Sequence, residues 1–179
     1  TPAWLWGLAA LPLMLAYPLR AWSDAPFFPT PRRALQPLGE ALALPAGARV
    51  LDAGCGLGHG LRALHAAWPA ARLDGVEWSA PLAWLCARRC HFAQVRRGDM
   101  WAPSWQDYDL VYLFQRPESM ARALAKARAE LRPGAWLVSL EFEVPGAAAT
   151  LRLPAGRGRS VWCYRMPDAR RSTLPARCR

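Results

Sequence analysis

Residues 50–60, VLDAGCGLGHG, restrict the fold more than any other stretch of the chain. Val50 and Leu51 read as the end of a buried β-strand, with Asp52 at its carboxyl edge. Gly54, Gly56 and Gly58 then make a turn into a helix that begins near Leu61. Glycine suits such a turn because a Cβ would forbid the backbone angles it needs and would hold a ligand away from the backbone. An acid just before the glycines can hydrogen-bond a cationic or hydroxylated ligand. A pyrophosphate-binding turn spaces its glycines G-x-G-x-x-G. Here the sixth position from Gly54 is His59, so that template fails. On these residues alone, an ordinary glycine-rich strand-to-helix turn remains open.

Two downstream stretches narrow the choice. Leu73, Gly75 and Val76 form a second short strand ending in Glu77, nineteen residues after Gly58, where a carboxylate can accept from both hydroxyls of a ribose. Trp78 follows as an apolar wall. The pattern D-x-G-x-G-x-G with a later acid resembles the first motifs of the class I S-adenosylmethionine (SAM) dependent methyltransferases. The resemblance implies SAM as cofactor, with Asp52 on its amino-acid moiety and its methionine part passing over Gly54, Cys55, Gly56 and Gly58. It also implies Glu77 on the ribose and Trp78 against the adenine. Gly98-Asp99-Met100-Trp101 is similar to the family's adenine-edge loop, Asp99 accepting from the exocyclic amine. SAM carries no phosphate, so the missing third glycine is no obstacle.

At 179 residues the chain holds one α/β domain with a full core and is too short for two. Its net charge is +10, almost all from arginine, because Lys126 is the only lysine. The arginines are scattered, with no basic stripe interleaved with aromatics, so a nucleic-acid partner is not expected. An anionic membrane surface, or simply an arginine-rich proteome, accounts for the charge better. Five cysteines without paired spacing argue against a disulfide scaffold and for a reducing compartment. Cys86 and Cys90 read as small hydrophobes on a buried helix face, and no metal site is expected.

In chain order, residues 3–19 are seventeen uncharged, mostly apolar positions, near the lower limit for crossing a bilayer. Trp4, Trp6, Tyr17 and Trp22 flank them as an interfacial belt, and Arg20 closes the run. Residues 1–22 are therefore expected to form an apolar, membrane-anchoring helix, with a buried N-terminal helix as the alternative. Pro12, Pro18 and the lack of a basic leader disfavour a signal peptide. Arginine density after this segment places the catalytic domain on the cytoplasmic face of the inner membrane, or in the cytoplasm if the segment is no anchor. Residues 23–47 read as a proline-rich linker followed by a helix from Thr30 or Pro31 to about Leu42.

Residues 48–166 alternate strand and helix. After the first strand come a helix at 61–68, a strand at 72–77, a helix at 80–90 with Leu82, Leu85, Cys86 and Arg89 at helical spacing, and a strand at 91–96. A nearly continuous apolar strand follows at 108–114, then a helix at 117–131, a strand at 135–143, and a hairpin pairing 150–153 with 160–165 across Gly156-Arg157-Gly158. The expected fold is a doubly wound, Rossmann-like methyltransferase sheet with a closing β-hairpin. Residues 167–179 are a basic tail that can lie on lipid headgroups.

Five stretches in order narrow the resemblance. Phe28-Pro29-Thr30-Pro31, DAGCGLG, YDLVYLFQRPESM, LRPGAWLVSLEFEVPG and SVWCYR, spread over residues 26–166, resemble the FAM173-type protein lysine methyltransferases, which include small archaeal and membrane-anchored mitochondrial enzymes. The resemblance implies that Phe28, Pro29, Thr30 and Pro31 lie over the cofactor. It sets Phe114, Gln115, Glu118, Phe142 and Pro145 near the acceptor, with Phe114 also counted as a cofactor contact and Gln115 and Glu118 as catalytic candidates. Glu118 or Glu141 would take the lysine proton or steer the cation. Two departures are Leu57 in place of an acid in the glycine turn and EFEVPG in place of an aromatic-proline run.

The turn Gln115-Arg116-Pro117-Glu118 is not the Asn/Asp-Pro-Pro-Tyr type of methyltransferases acting on exocyclic base amines. A methyltransferase of a small molecule or lipid at the membrane, and a non-catalytic SAM-binding membrane module, stay open as alternatives to a protein lysine acceptor.

Overall fold

The computed structural model describes residues 29–167. The expected membrane-anchoring segment at 1–22, Phe28 and the basic tail after Pro167 lie outside the described residues. Within them, seven strands form a single sheet: β1 (Arg49–Ala53), β2 (Arg72–Glu77), β3 (Ala93–Arg97), β4 (Leu110–Leu113), β5 (Trp136–Leu140), β6 (Leu151–Pro154) and β7 (Ser160–Arg165). Their spatial order is β3-β2-β1-β4-β5-β7-β6. The first five strands run parallel, and β7 inserts antiparallel between β5 and β6, which makes the closing hairpin. The order reverses between β1 and β4, and the crevice beyond their carboxyl ends is where open α/β sheets place ligands.

Four helices cover the sheet: α1 (Gln36–Ala41), α2 (His59–Ala67), α3 (Ala80–Arg89) and α4 (Pro117–Glu130). Side chains alternate across each strand and so build two cores. On one face Val50, Leu110 and Val138 pack with Leu35 and Leu38 of the α1 region and Leu61 and Leu64 of α2. On the other, Leu51, Val111 and Leu137 meet Met120, Ala123 and Ala127 of α4. All four residues of β4 are buried, as a central strand covered on both faces requires. Among the described residues no helix is long and apolar enough to cross a membrane.

Three boundaries differ from expectation, each for a local reason. The first helix starts at Gln36 rather than near Thr30, after two turns closed by Ala34 N–H to Pro31 O (3.0 Å) and Gln36 N–H to Arg33 O (3.3 Å). Pro37 has no N–H for Arg33 and its ring would clash with that carbonyl, so a helix cannot run through it from Pro31. β4 begins at Leu110 rather than Tyr108, because the Tyr108 amide closes a turn on Trp105 O (3.1 Å) instead of pairing with a neighbouring strand. β5 stops at Leu140 because Glu141 turns left-handed, φ 73°. Helix α3 buries Ala83 and Cys86, with Cys90 buried just past it as expected of the two cysteines, while Leu85 and Arg89, which share Cys86's helical spacing, lie in solvent.

Gly39 fixes how α1 crosses α2. A Cβ there would lie 2.7 Å from the backbone oxygen of Ala67, which has no flexible end to give way. Gly39→Ala gains helix propensity of at most about 1 kcal/mol, less than the roughly 1–3 kcal/mol of overpacking. The melting temperature is expected to fall by a few degrees; a rise would show that the two helices can separate freely.

Candidate functional site

The glycine turn is spliced onto the neighbouring strand. The amides of Gly54 and Cys55 both donate to the carbonyl of Val76, at 2.9 and 3.0 Å, and Gly58 N–H closes the turn on Cys55 O at 2.8 Å. Gly54, Gly56 and Gly58 have φ of 88°, 51° and 80°, the left-handed region that only glycine enters without strain. Space is as short as conformation. A Cβ on Gly54 would meet Gln115 Nε2 at 2.3 Å, and one on Gly58 would meet Cys90 Sγ at 2.5 Å.

Cys55, Cys86 and Cys90 pack together beneath this turn, all buried, with Cys55 Sγ 3.7 Å from Cys86 Sγ and Cys90 Sγ 3.7 Å from Gly58 O. Hydrogen bonding to Cys55 holds the Cys86 thiol far above its ordinary range, and hydrogen bonding to Cys86, then burial, does the same for Cys90. The thiols therefore stay protonated and serve as small, close-packing hydrophobes. Among the described residues no group of three or more His, Cys, Asp or Glu is arranged to hold a metal.

Two carboxylates flank the turn in contrasting states. Glu77, at the end of β2, accepts from the Gly56 amide (2.9 Å) on one oxygen and from the Ser79 amide (2.8 Å) on the other. Those two bonds aim it while leaving lone pairs for further donors. Asp52 is 3% exposed, and its Oδ2 has no hydrogen-bond partner. Burial, and then the charge of Glu77, push its carboxyl up to about 8. An orphaned buried oxygen beside a carboxylate that still has acceptor capacity suits a ligand with a cationic end and a hydroxylated end. That description fits SAM.

Asp52 pairs across the sheet with Tyr112 of β4. Tyr112 is fully buried, and its hydroxyl shares a 2.8 Å hydrogen bond with the hydroxyl of Thr30. Burial, then the Asp52 charge, hold the Tyr112 phenol well above its ordinary range, so it remains neutral. This bond pins the Pro29-Thr30-Pro31 segment over the carboxyl edge of β4. Sequence reasoning found Thr30 but missed Tyr112, which reads as one more apolar position in YDLVYLF. It also missed the Ser79 amide that orients Glu77, since backbone donors leave no mark in a sequence.

The remaining candidates divide. Met100 and Gln115 converge on Gly54: a Cβ there would lie 3.6 Å from Met100 Sδ, and Gln115, 7% exposed, donates from Nε2 to Ala53 O at 3.4 Å. Asp99 accepts from the Trp101 amide at 3.0 Å, and Trp78 is largely exposed beside Glu77. Phe114 and Phe142, at the ends of β4 and β5, have ring centroids 6.3 Å apart. Glu118 is exposed in the first turn of α4, and Pro145 is exposed. Glu141 is ion-paired with Arg159 at 3.1 Å.

Comparison with known proteins agrees with this geometry. Residues 52–150 match the ANTKMT methyltransferase domain. The S-adenosyl-L-methionine-dependent Diels-Alderase iccD of Talaromyces variabilis is 31% identical over 150 residues, covering 83% of this chain and 47% of that protein. The chain thus spans about half the length of that curated relative. Among solved structures, an RNA methyltransferase from Salinibacter ruber in complex with S-adenosyl-L-homocysteine superposes with TM-score 0.70 at 20% identity, over 83% of this chain and 97% of that one. A TehB-like SAM-dependent methyltransferase from Corynebacterium glutamicum gives 0.56 at 20% identity, over 74% and 87%. At these identities the two structures attest the fold.

The state of Asp52 has a measurable consequence. Its folded value, about 8, lies above the ordinary 3.8, so between those pH values the native state binds a proton that the unfolded chain has released. Its contribution to stability is therefore present at low pH and lost as pH rises toward 8. The ligand-free chain is expected to show a steeper fall in melting temperature from pH 5 to 8 than Asp52→Asn does. Equal slopes would contradict the assignment.

Proposed function

This chain belongs to the ANTKMT methyltransferase domain family and is a class I SAM-dependent methyltransferase; from that premise we propose that it methylates the side-chain amine of a protein lysine at a membrane surface. The observation that supports the acceptor assignment is the Phe114–Phe142 ring pair, centroids 6.3 Å apart, at the ends of β4 and β5, with Gln115, next in the chain to Phe114, set against Gly54 of the turn. Aromatic rings at that edge would favour a long apolar stem carrying a cationic head.

When bound, SAM supplies an electrophilic methyl group on a sulfonium. Glu77 accepts from the two ribose hydroxyls, and Asp52, ionised by the approach of the ligand's ammonium, pairs with it. Gly54, Cys55, Gly56 and Gly58 let the amino-acid portion lie on the backbone. Trp78 and Met100 flank the adenine, and Asp99 accepts from its amine. Thr30, held by Tyr112, and Phe114 close over the reacting end.

Gln115 commits its Nε2 to Ala53 O, which leaves its Oε1 to accept from the amine and aim the nitrogen lone pair. That nitrogen would take the methyl from SAM, with the electrons of the C–S bond retained by sulfur. Glu118, exposed at the start of α4, draws the cation in and receives the proton that the amine must lose. Positioning and exclusion of water account for most of the acceleration.

A small-molecule or lipid acceptor is the second reading; the fungal relative at 31% identity is a SAM-dependent Diels-Alderase, whose cycloaddition has no methyl acceptor, so that likeness supports SAM binding and a small-molecule ligand rather than either acceptor. Incubating the chain with methyl-labelled SAM and fractions of source cells separates the two. Label held in one protein band as methyl-lysine supports the lysine reading. Label in the lipid or small-molecule phase supports the second, and no transfer despite SAM binding would contradict both and leave a non-catalytic module.

The cofactor site has its own test. Glu77→Ala removes two charge-assisted hydrogen bonds to the ribose, together worth about 3 kcal/mol. SAM affinity is expected to drop at least about 100-fold by isothermal titration. Undiminished affinity would sink the assignment of Glu77.

A further inference from the structure

We propose that the outward face of α3 is a docking surface for an anionic lipid bilayer. Surface helices normally turn charge to solvent and apolar residues to the core. Here the arrangement is inverted. α3 buries Ala83 and Cys86, and on the opposite side Pro81, Trp84, Leu85 and Arg88 follow the spacing of a single helical stripe. Trp84 is 59% exposed, Leu85 38%, and Phe92, just past the helix, 38%. These are three of the four large hydrophobic residues exposed among the described residues, the fourth being Trp78.

The charge around the stripe selects its partner. From Trp78 to Gly98 the chain carries no acid and four arginines, of which Arg88 and Arg89 lie on α3 itself, whereas Arg96 is spent on Asp74 (3.6 Å) and Tyr108. The Arg88 guanidinium lies 4.7 Å over the Trp84 ring. An indole at the acyl boundary with a guanidinium beside it at phosphate level is the pairing that lipid–water interfaces favour. A nucleic acid would need side chains that read or stack on bases along a basic track. This stripe has no amide or hydroxyl side chain, and Pro81 and Leu85 have nothing to offer a phosphate.

The sequence outside the described residues is compatible. The apolar run 3–19 ends ten residues before Pro29, a stretch that reaches at most roughly 35 Å. Because α3 starts three residues after Glu77, docking would bring the cofactor crevice close to the headgroups without using any residue of it.

This inference deepens the membrane placement proposed above, yet it is read separately: a chain held only by its N-terminal run would bind vesicles while Trp84 stayed clear of lipid. The full chain is titrated with phosphatidylcholine vesicles containing one third phosphatidylglycerol and brominated acyl chains, which quench only tryptophans in contact with lipid. The wild type is compared with Trp84→Phe, the difference reporting Trp84 alone. That emission is expected to fall at least twofold. The double variant Arg88→Gln/Arg89→Gln should need at least fivefold more anionic vesicles for the same quenching, with SAM affinity unchanged as the check on folding. Equal quenching of wild type and Trp84→Phe would overturn the proposal. So would a Trp84 response to single-stranded RNA but not to vesicles.

Discussion

The carbonyl of Val76 is the point on which the site depends. By accepting from both Gly54 and Cys55 it ties the exit of β1 to the exit of β2, so that the glycine turn and Glu77 cannot move independently. Glu77 completes the circuit by taking the Gly56 amide. A turn with three left-handed residues is expensive to order, and here three forces hold it. The strand carbonyl anchors its start, the carboxylate its middle, and the thiols of Cys86 and Cys90 pack where Gly58 has no side chain. Much of the crevice is therefore preformed.

Its electrostatics are unfinished by design of the fold rather than by a defect in packing. Asp52 lies against Gly60 and Tyr112, where a side chain on Gly60 would collide with it, and its second oxygen faces no donor. A buried carboxyl in that state is costly when charged and tolerable when protonated. A cation arriving at the turn reverses that balance, so ligand charge and protein protonation are linked. Glu77, half-buried and satisfied by two amides, needs no such rescue. In the proposed site the two acids would divide the work, Asp52 meeting a cation and Glu77 accepting from hydroxyls.

Much of this was legible in the sequence, because it depends on local chemistry. The strand-turn-helix unit, Glu77 at the end of β2, the apolar β4 and the closing hairpin all follow from glycine spacing and period-two patterns that no tertiary contact overrides. The misses are tertiary or stereochemical. Pro37 delays α1, the Tyr108 amide closes a turn on Trp105 O before β4 can start, and the left-handed Glu141 ends β5 inside a run that reads as alternating strand. The buried cysteines of α3 were legible, but not the outward Leu85, because helical spacing shows which residues share a stripe and not whether that stripe points inward. Tyr112 was hidden because its hydroxyl finds a partner 82 residues away in Thr30. Which of Gln115, Glu118 and Glu141 meets an acceptor is likewise a matter of orientation: Glu141 is occupied by Arg159, while Gln115 lies against the turn.

The most direct measurement is a crystal structure of the chain with S-adenosylhomocysteine. The account predicts both ribose hydroxyls within hydrogen-bond distance of Glu77, the amino-acid portion over Gly54 to Gly58, and Asp52 Oδ2 no longer without a partner. A ligand bound elsewhere, or one whose ribose leaves Glu77 held only by the Gly56 and Ser79 amides, would contradict it.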